Sequence, residues 1–343
     1  LMGREVANHE FLKALLDHGD WQRLNVLLES ENDRVSLVDL CNRQLAECTR
    51  QRRVSIRVQN ELSDWMRECR ETVLHFPGPP DPRFAWGRQR WARDRIAFSS
   101  VTHTLCSQRG MESLWHLVTH PFSEVDRLIC TSRAVEEMVR AATEQMCGYL
   151  EDRFGGRHRL TVTLDRLPLG VDLTRHKPSP PDLRKAIRKE LDLEDDAFTV
   201  LFVGRLSHHA KAHPYPLFVA CQNLAERQGR PVRLLLCGWY PNDTVREAFE
   251  KTAQRVAPDV RLVLVDGLDT RWRDDVWSAA DVFVSLPDSV QETFGLTPVE
   301  AMARGIPVIA SDWNGYRDTV VHGETGFLVP TAMVRDATSE LAC

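Results

Sequence analysis

The stretch FTVLFVGRLSHHAKAHP, residues 198–214, opens the part of the chain whose pattern decides the fold. Its first seven residues form an apolar, β-branched run ending in Gly204. Four runs of the same kind follow: VRLLLCG (232–238), VRLVLV (260–265), DVFVSL (281–286) and IPVIAS (306–311). Between them lie amphipathic stretches predicted as helices over 212–228, 243–256, 271–280 and 297–304. Short strands alternating with helices of this length imply right-handed βαβ units and a parallel sheet.

Upstream the same character recurs with a weaker pattern. Helices are predicted over 6–17, 36–50, 82–95 and 132–151, and strands over 23–28, 53–58, 72–75, 96–101 and 127–131. Between the halves runs RHKPSPPDLRKAIRKELDLEDDAF (175–198), polar and rich in proline, as expected of a connector. The division expected is therefore a first α/β domain over 1–173, a linker over 174–196 and a second α/β domain over 197–343. Two such domains facing each other would hold a ligand cleft at the carboxyl ends of their strands.

The 343 residues are 43% hydrophobic and 27% charged, enough apolar surface for a sizeable core. Lys and Arg total 44 against 49 Asp and Glu, so no net basic field invites nucleic acid, and none is expected as a partner. No apolar stretch approaches the ~18 residues of a membrane span, and the first residues lack the order of a signal peptide. The nine cysteines are scattered without a Cys-x-x-Cys pair, which favours reduced structural thiols in a soluble, cytoplasmic protein.

The Gly-x-Gly-x-x-Gly and P-loop phosphate cradles are missing, as are the Gly-x-Ser-x-Gly elbow and His-Glu-x-x-His. There is also no Asp-x-Asp to seat a divalent metal on a diphosphate, so neither a metal nor a cofactor is expected.

The chemistry concentrates between Ser285 and Thr331, where Glu292 and Glu300 stand seven residues apart around Phe294, Gly295 and Leu296. Thr297 as N-cap with Pro298 at the first helical position would put Gly295 and Leu296 in a loop meeting a helix N-terminus. Free amides there favour a phosphate. Thr297 and Glu300 also fit a capping box that needs no ligand. Glu292 beside an apolar run reads either as a solvated loop carboxylate or as an acceptor for sugar hydroxyls. Arg205 and Lys211, after Gly204, read as a surface pair or as two cations placed for a diphosphate. Read with the glutamates across the same sheet edge, the second reading gains.

These elements together resemble the retaining nucleotide-sugar glycosyltransferases of family four, whose GT-B fold consists of two facing Rossmann-like domains with parallel sheets. Glu292 through Glu300 is similar to that family's Glu-x7-Glu element, and Gly204, Arg205, Leu206 and Lys211 to its Gly-Arg-Leu…Lys element. The Arg205-to-Lys211 spacing is one residue longer than the common form. The resemblance implies a metal-independent hexosyltransferase of carbohydrate biosynthesis. Its donor would be a nucleoside diphosphate sugar, UDP-linked in preference to GDP- or ADP-linked, and its acceptor the hydroxyl of a sugar, polyol or glycolipid.

Carried over, Arg205 and Lys211 would neutralise the diphosphate, Glu292 would hold the sugar hydroxyls and Glu300 the ribose. The amides at Phe294, Gly295, Leu296 and Thr297 would complete the pocket. His103, in SVTHTL, matches a histidine that reaches the donor sugar; taken alone, such a histidine is more often structural. DRLICTSRAVEEM (126–138) and LPLGVD (167–172) resemble the segments before the domain crossing. Gly3 matches one residue of the family's N-terminal glycine loop, with the first strand and the C-terminal helix lacking, as in a fragment.

Other readings stay open: a nucleotide-sugar epimerase or a phosphorylase on a similar scaffold, or a non-catalytic nucleotide-sugar-binding subunit. FAWGRQRWARDR (84–95) reads as a plain surface helix, with peripheral contact at the inner face of an anionic membrane as the alternative.

Overall fold

The computed structural model describes residues 3–20, 23–28, 53–58, 62–102, 105–208, 211, 213–289 and 292–332. The chain is α/β throughout and divides into two compact units. One comprises 1–103, 109–130 and 139–165; the other 104–108, 131–138 and 166–343.

In the first unit, α1 (Gly3–His18), β1 (Arg23–Leu28), β2 (Arg53–Val58), α2 (Leu62–Glu68), β3 (Thr72–Phe76) and α3 (Pro82–Trp91) precede β4 (Ile96–Val101). α4 (Gln108–Thr119), β5 (Arg127–Cys130), α5 (Arg133–Phe154), whose residues up to Met138 belong to the other unit, and β6 (Thr163–Arg166) follow. β1 pairs with β2 in parallel, and β3-β4-β5-β6 form a second sheet. Gly3 is the first residue of α1 and so lies in a helix, not in a loop. The predicted helix 36–50 falls outside the described residues.

The helix expected over 82–95 ends at Trp91, where Ala92 leaves helical geometry and Arg95 Nη2 donates to the Trp91 carbonyl at 2.7 Å. Its mixed face, Phe84 with Arg88, is buried. The cation is tolerated because Asp126, 1% exposed, accepts from both Arg88 Nη atoms and from the amides of Phe98 and Ser123 at 2.8 Å. Arg83, Trp86 and Arg90 face solvent.

The second unit runs α6 (Pro181–Glu190), β7 (Phe198–Val203), α7 (Tyr215–Gln228), β8 (Val232–Gly238), α8 (Asp243–Val256) and β9 (Arg261–Asp266). α9 (Thr270–Asp275), a 3₁₀ turn (Val276–Ala279), β10 (Val282–Ser285), α10 (Leu296–Ala303), β11 (Val308–Asp312), α11 (Tyr316–Thr319) and β12 (Gly326–Pro330) complete it. The six strands lie in the order β12-β11-β10-β7-β8-β9, all parallel. Numbered along this unit, that is the doubly wound 3-2-1-4-5-6 order.

Both faces are covered, which explains why the strands read as continuous apolar runs. Leu201, Leu235, Cys237, Val263 and Phe283 point to one face with Ala301 of α10; Val200, Phe202, Leu234 and Leu236 point to the other with Leu217 and Phe218 of α7. Each such fully buried side chain contributes roughly 1.5–3 kcal/mol. Burial pushes the Cys221 and Cys237 thiols up to about 12, so they are core residues and not nucleophiles.

Part of the stretch expected as a linker is α6, and it is anchored on this unit. Arg188, buried, donates to Thr199 Oγ1 and to the carbonyls of Ala279, Glu194 and Ala197, while Arg184 reaches Asp281 at 2.7 Å. Five donors per guanidinium let a polar-looking sequence become a fixed helix.

Candidate functional site

Strands β7 and β10 are neighbours in register, and the helices that follow them pack on opposite faces of the sheet. Loops leaving their carboxyl ends therefore diverge and open a crevice at the point where the strand order reverses. The two motifs read from the sequence lie on these two loops.

After β7 the backbone is pinned to its neighbour. The amides of Gly204 and Leu206 donate to the Cys237 and Trp239 carbonyls at 3.0 Å. A Cβ on Gly238 would stand 2.0 Å from the Gly204 carbonyl oxygen, so only glycine permits this approach. Arg205 follows, half-buried, and its guanidinium makes no hydrogen bond or ion pair among the described residues. Lys211 Nζ donates to Glu292 Oε2 at 2.8 Å, joining the loop after β7 to the loop after β10. Its carboxylate partner is largely shielded, with an 11% exposed side chain, whereas Lys211 remains 40% exposed.

After β10 the chain reaches α10 through buried Phe294 and Gly295. Thr297 is not the N-cap. That position belongs to Gly295, at φ 83°, which has no side chain to offer, and Thr297 and Pro298 are the second and third helical residues. The capping box with Glu300 is therefore not formed. Helix α10 starts with no side-chain cap, leaving its first amides without intrahelical partners and at the positive end of its dipole. Glu300 lies on the same helix, half-buried, with Arg304 close enough to feel its charge.

The structure places Gly204, Arg205 and Lys211 on the loop after β7 and Glu292, Phe294, Gly295, Leu296, Thr297 and Glu300 on the loop and helix after β10, and the Lys211–Glu292 contact joins the two sets. His103 lies outside the described residues. Gly3 is in the first unit, on α1. Among the described residues, no group of three or more His, Cys, Asp or Glu could hold a metal ion.

Sequence reasoning missed the scaffold under the second loop. Tyr316, 1% exposed, shares a hydrogen bond with Ser285 Oγ at 2.8 Å. Burial, then the Glu292 charge, push its phenol well above the usual range, while hydrogen bonds with Ser285 and Thr297 pull the other way. Gly315 beside it comes so near the loop that a Cβ would lie 2.4 Å from the Thr293 carbonyl oxygen. Trp313 Nε1 donates to the Ser289 carbonyl at 3.1 Å and Ser311 Oγ to that of Pro287 at 2.6 Å. The only signal in the sequence was the glycine before an aromatic residue after strand IPVIAS.

The class these observations define is a doubly wound α/β domain with the Lys211–Glu292 contact and an uncapped helix start on the loops at its switch point. Residues 184–341 match the family model described as "Glycosyl transferases group 1", so this part of the chain is similar to that family. It is 29% identical over 254 residues to the D-inositol 3-phosphate glycosyltransferase of Rhodococcus erythropolis, covering 71% of this chain and 54% of that one. The namesake from Geodermatophilus obscurus is 32% identical over 273 residues, 76% of this chain and 58% of its own length. The chain thus spans little more than half the length of these relatives.

Among solved structures, Anabaena Alr3699/HepE in complex with UDP aligns at a TM-score of 0.65 and 17% identity, over 99% of this chain and 85% of that one. A sucrose-phosphate synthase from Thermosynechococcus elongatus aligns at 0.51, over 94% and 88%. At these identities the likeness is one of fold, the GT-B architecture.

Proposed function

We propose that this chain transfers a sugar from a nucleoside diphosphate sugar to a hydroxyl acceptor, without a metal and with retention at the anomeric carbon. The observation that carries the reading is the Lys211–Glu292 pair at the switch point, flanked by Arg205, which has no partner among the described residues, and by the uncapped start of α10. These are two cations and a set of amides for a diphosphate, beside a shielded carboxylate for hydroxyls.

As donor binds, Lys211 exchanges part of its contact with Glu292 for a phosphate oxygen, and Arg205 and the α10 amides take the remaining charge. Glu292 is then free to accept hydrogen bonds from the sugar, and Glu300 from the ribose. The bond from the anomeric carbon to the diphosphate oxygen breaks, and charge spreads onto groups already oriented to receive it. The acceptor oxygen bonds to that carbon on the same face, and its proton passes to the departing phosphate. His103 is the proposed contact to the sugar from the first domain. In this reading residues 1–173 serve the acceptor, 174–196 connect, and 197–343 bind donor.

UDP is the favoured nucleotide, since Alr3699/HepE was solved with UDP and with UDP-glucose. A polyol or sugar phosphate suits the acceptor side, in keeping with the names of the inositol 3-phosphate relatives. Among the described residues no helix is long and apolar enough to cross a membrane. The exposed Arg83, Trp86 and Arg90 of α3 offer a basic, aromatic face for peripheral contact with an anionic membrane, checked by sedimentation with anionic vesicles.

The test is a calorimetric titration with UDP, GDP and ADP in metal-free buffer, repeated with Glu300→Ala. One nucleotide is expected to bind saturably, weakened by about 1–3 kcal/mol in the variant. Labelled nucleotide sugar then separates the alternatives: epimerisation without acceptor, phosphate-dependent cleavage, or binding without turnover would each replace transfer. Binding of no nucleotide would overturn the reading.

A further inference from the structure

We infer that Tyr316 is a positioning residue of this site: its phenol hydroxyl fixes the Glu292–Thr297 loop and the start of α10 in the geometry that receives the donor. This rests on the donor-binding reading above, but its observations stand apart from it.

Tyr316 touches every part of the loop that matters. Its hydroxyl is 2.8 Å from Ser285 Oγ, at the last residue of β10, and it hydrogen-bonds with Thr297 in the first turn of α10. Its ring underlies the N-cap: a Cβ on Gly295 would fall 1.8 Å from Tyr316 Cε1. The carboxylate of Glu292 is near enough for its charge to act on the phenol. One side chain thus ties the strand end, the cap and the helix start to a single point, within reach of the Glu292 charge.

The ring alone would not need the hydroxyl. Tyr316 packs in the apolar cluster with Ala301, Val308 and Phe283, where a phenylalanine would fill the same space without a polar atom to satisfy. The hydroxyl is retained with two hydroxyl partners, one on either side of a loop whose N-cap residue has no side chain. A chain of three hydroxyls inside a dry core holds distances more stiffly than packing does. Cores tolerate apolar swaps of similar volume and lose uniqueness before they lose stability. Removal of the oxygen is therefore expected to loosen the loop and spare the fold.

The experiment compares the full chain with Tyr316→Phe and, as the reciprocal change, Ser285→Ala. Three quantities are measured: the melting temperature, amide hydrogen exchange in the free protein, and affinity for UDP with kcat and KM. We expect melting within a few degrees of the parent, about tenfold faster exchange confined to residues 292–299, and UDP binding weakened about fivefold. In turnover, kcat is expected to fall by a larger factor than KM rises, because the loop also holds the carboxylate that meets the sugar.

Unchanged exchange at 292–299 overturns the inference. So does faster exchange spread evenly over the second unit with a matching fall in melting temperature, which marks Tyr316 as a core residue only. If the parent chain binds no nucleotide, the donor-binding reading fails while the exchange comparison still decides whether Tyr316 holds the loop.

Discussion

A residue's chemistry and its burial can point in opposite directions, and Arg88 and Lys211 show both outcomes. On a helical wheel Arg88 shares a face with Phe84, which blurs the pattern; in the fold both are buried, and Arg88 is held by Asp126. Asp126→Ala strands a buried guanidinium, so unfolding in urea is expected to show a loss of about 3–5 kcal/mol. Adding Arg88→Met should restore much of that loss, because the stranded charge goes with it. Lys211 stood out in the sequence because it follows a glycine at a strand end, and in the fold its ammonium contacts Glu292 on the loop after β10 at 2.8 Å. Tyr316 and Ser285 were not legible: their roles depend on partners 19 to 31 positions away, and no local pattern announces a hydrogen bond of that span.

Helix α10 was legible in position but not in its mode of starting. The Thr-x-x-Glu spacing satisfies a capping box on paper, yet the cap is Gly295, because a left-handed turn lets the chain pass over the Tyr316 ring. Gly295→Ala is expected to strain the backbone at φ 83° and collide with that ring, storing about 1–3 kcal/mol at the loop and weakening nucleotide binding about tenfold or more. Gly229→Ala is the control, since Gly229 also has a positive φ but nothing within 4 Å of the added methyl. Circular dichroism should find both variants folded, and calorimetry should separate them. Strands β7, β8 and β10 were readable because burial on two faces makes them almost uniformly apolar, and the edge strand β9 through its apolar run even though Leu264 stays exposed. Elements α2, α4, α6 and β6 were not. Leu62–Glu68 and Thr163–Arg166 are too short to establish a period, and Pro181–Glu190 earns its place through arginine contacts that sequence scores as polar.

Over the whole molecule the two units differ in how they were written. The second announces its alternation of strands and helices through spacing, while its strand order comes from the fold alone; the first needs its long-range ion pair to make sense of its helices. Stability carries a further signature that composition hides, because His176 is 5% exposed and its ring is held neutral, with a folded pKa lowered to about 4. Burial is the main cause, followed by the charges of Arg304 and Arg175, against which Asp274 and Asp172 act weakly. The unfolded imidazole takes up a proton near pH 6.5 and the folded one does not. Between those values the unfolded chain binds more protons, so stability is full above pH 6.5 and falls as pH drops towards 4, by on the order of 2–3 kcal/mol. Arg233 holds Glu194 down at about 2, so its contribution is full above the usual carboxylate range and is lost only as pH falls below that range, in a lower window. Urea unfolding at pH 7.5, 6.0 and 5.0 should therefore show a progressive loss that His176→Gln flattens. An equal slope in the variant would assign the loss to other groups and leave the buried imidazole without a part in it.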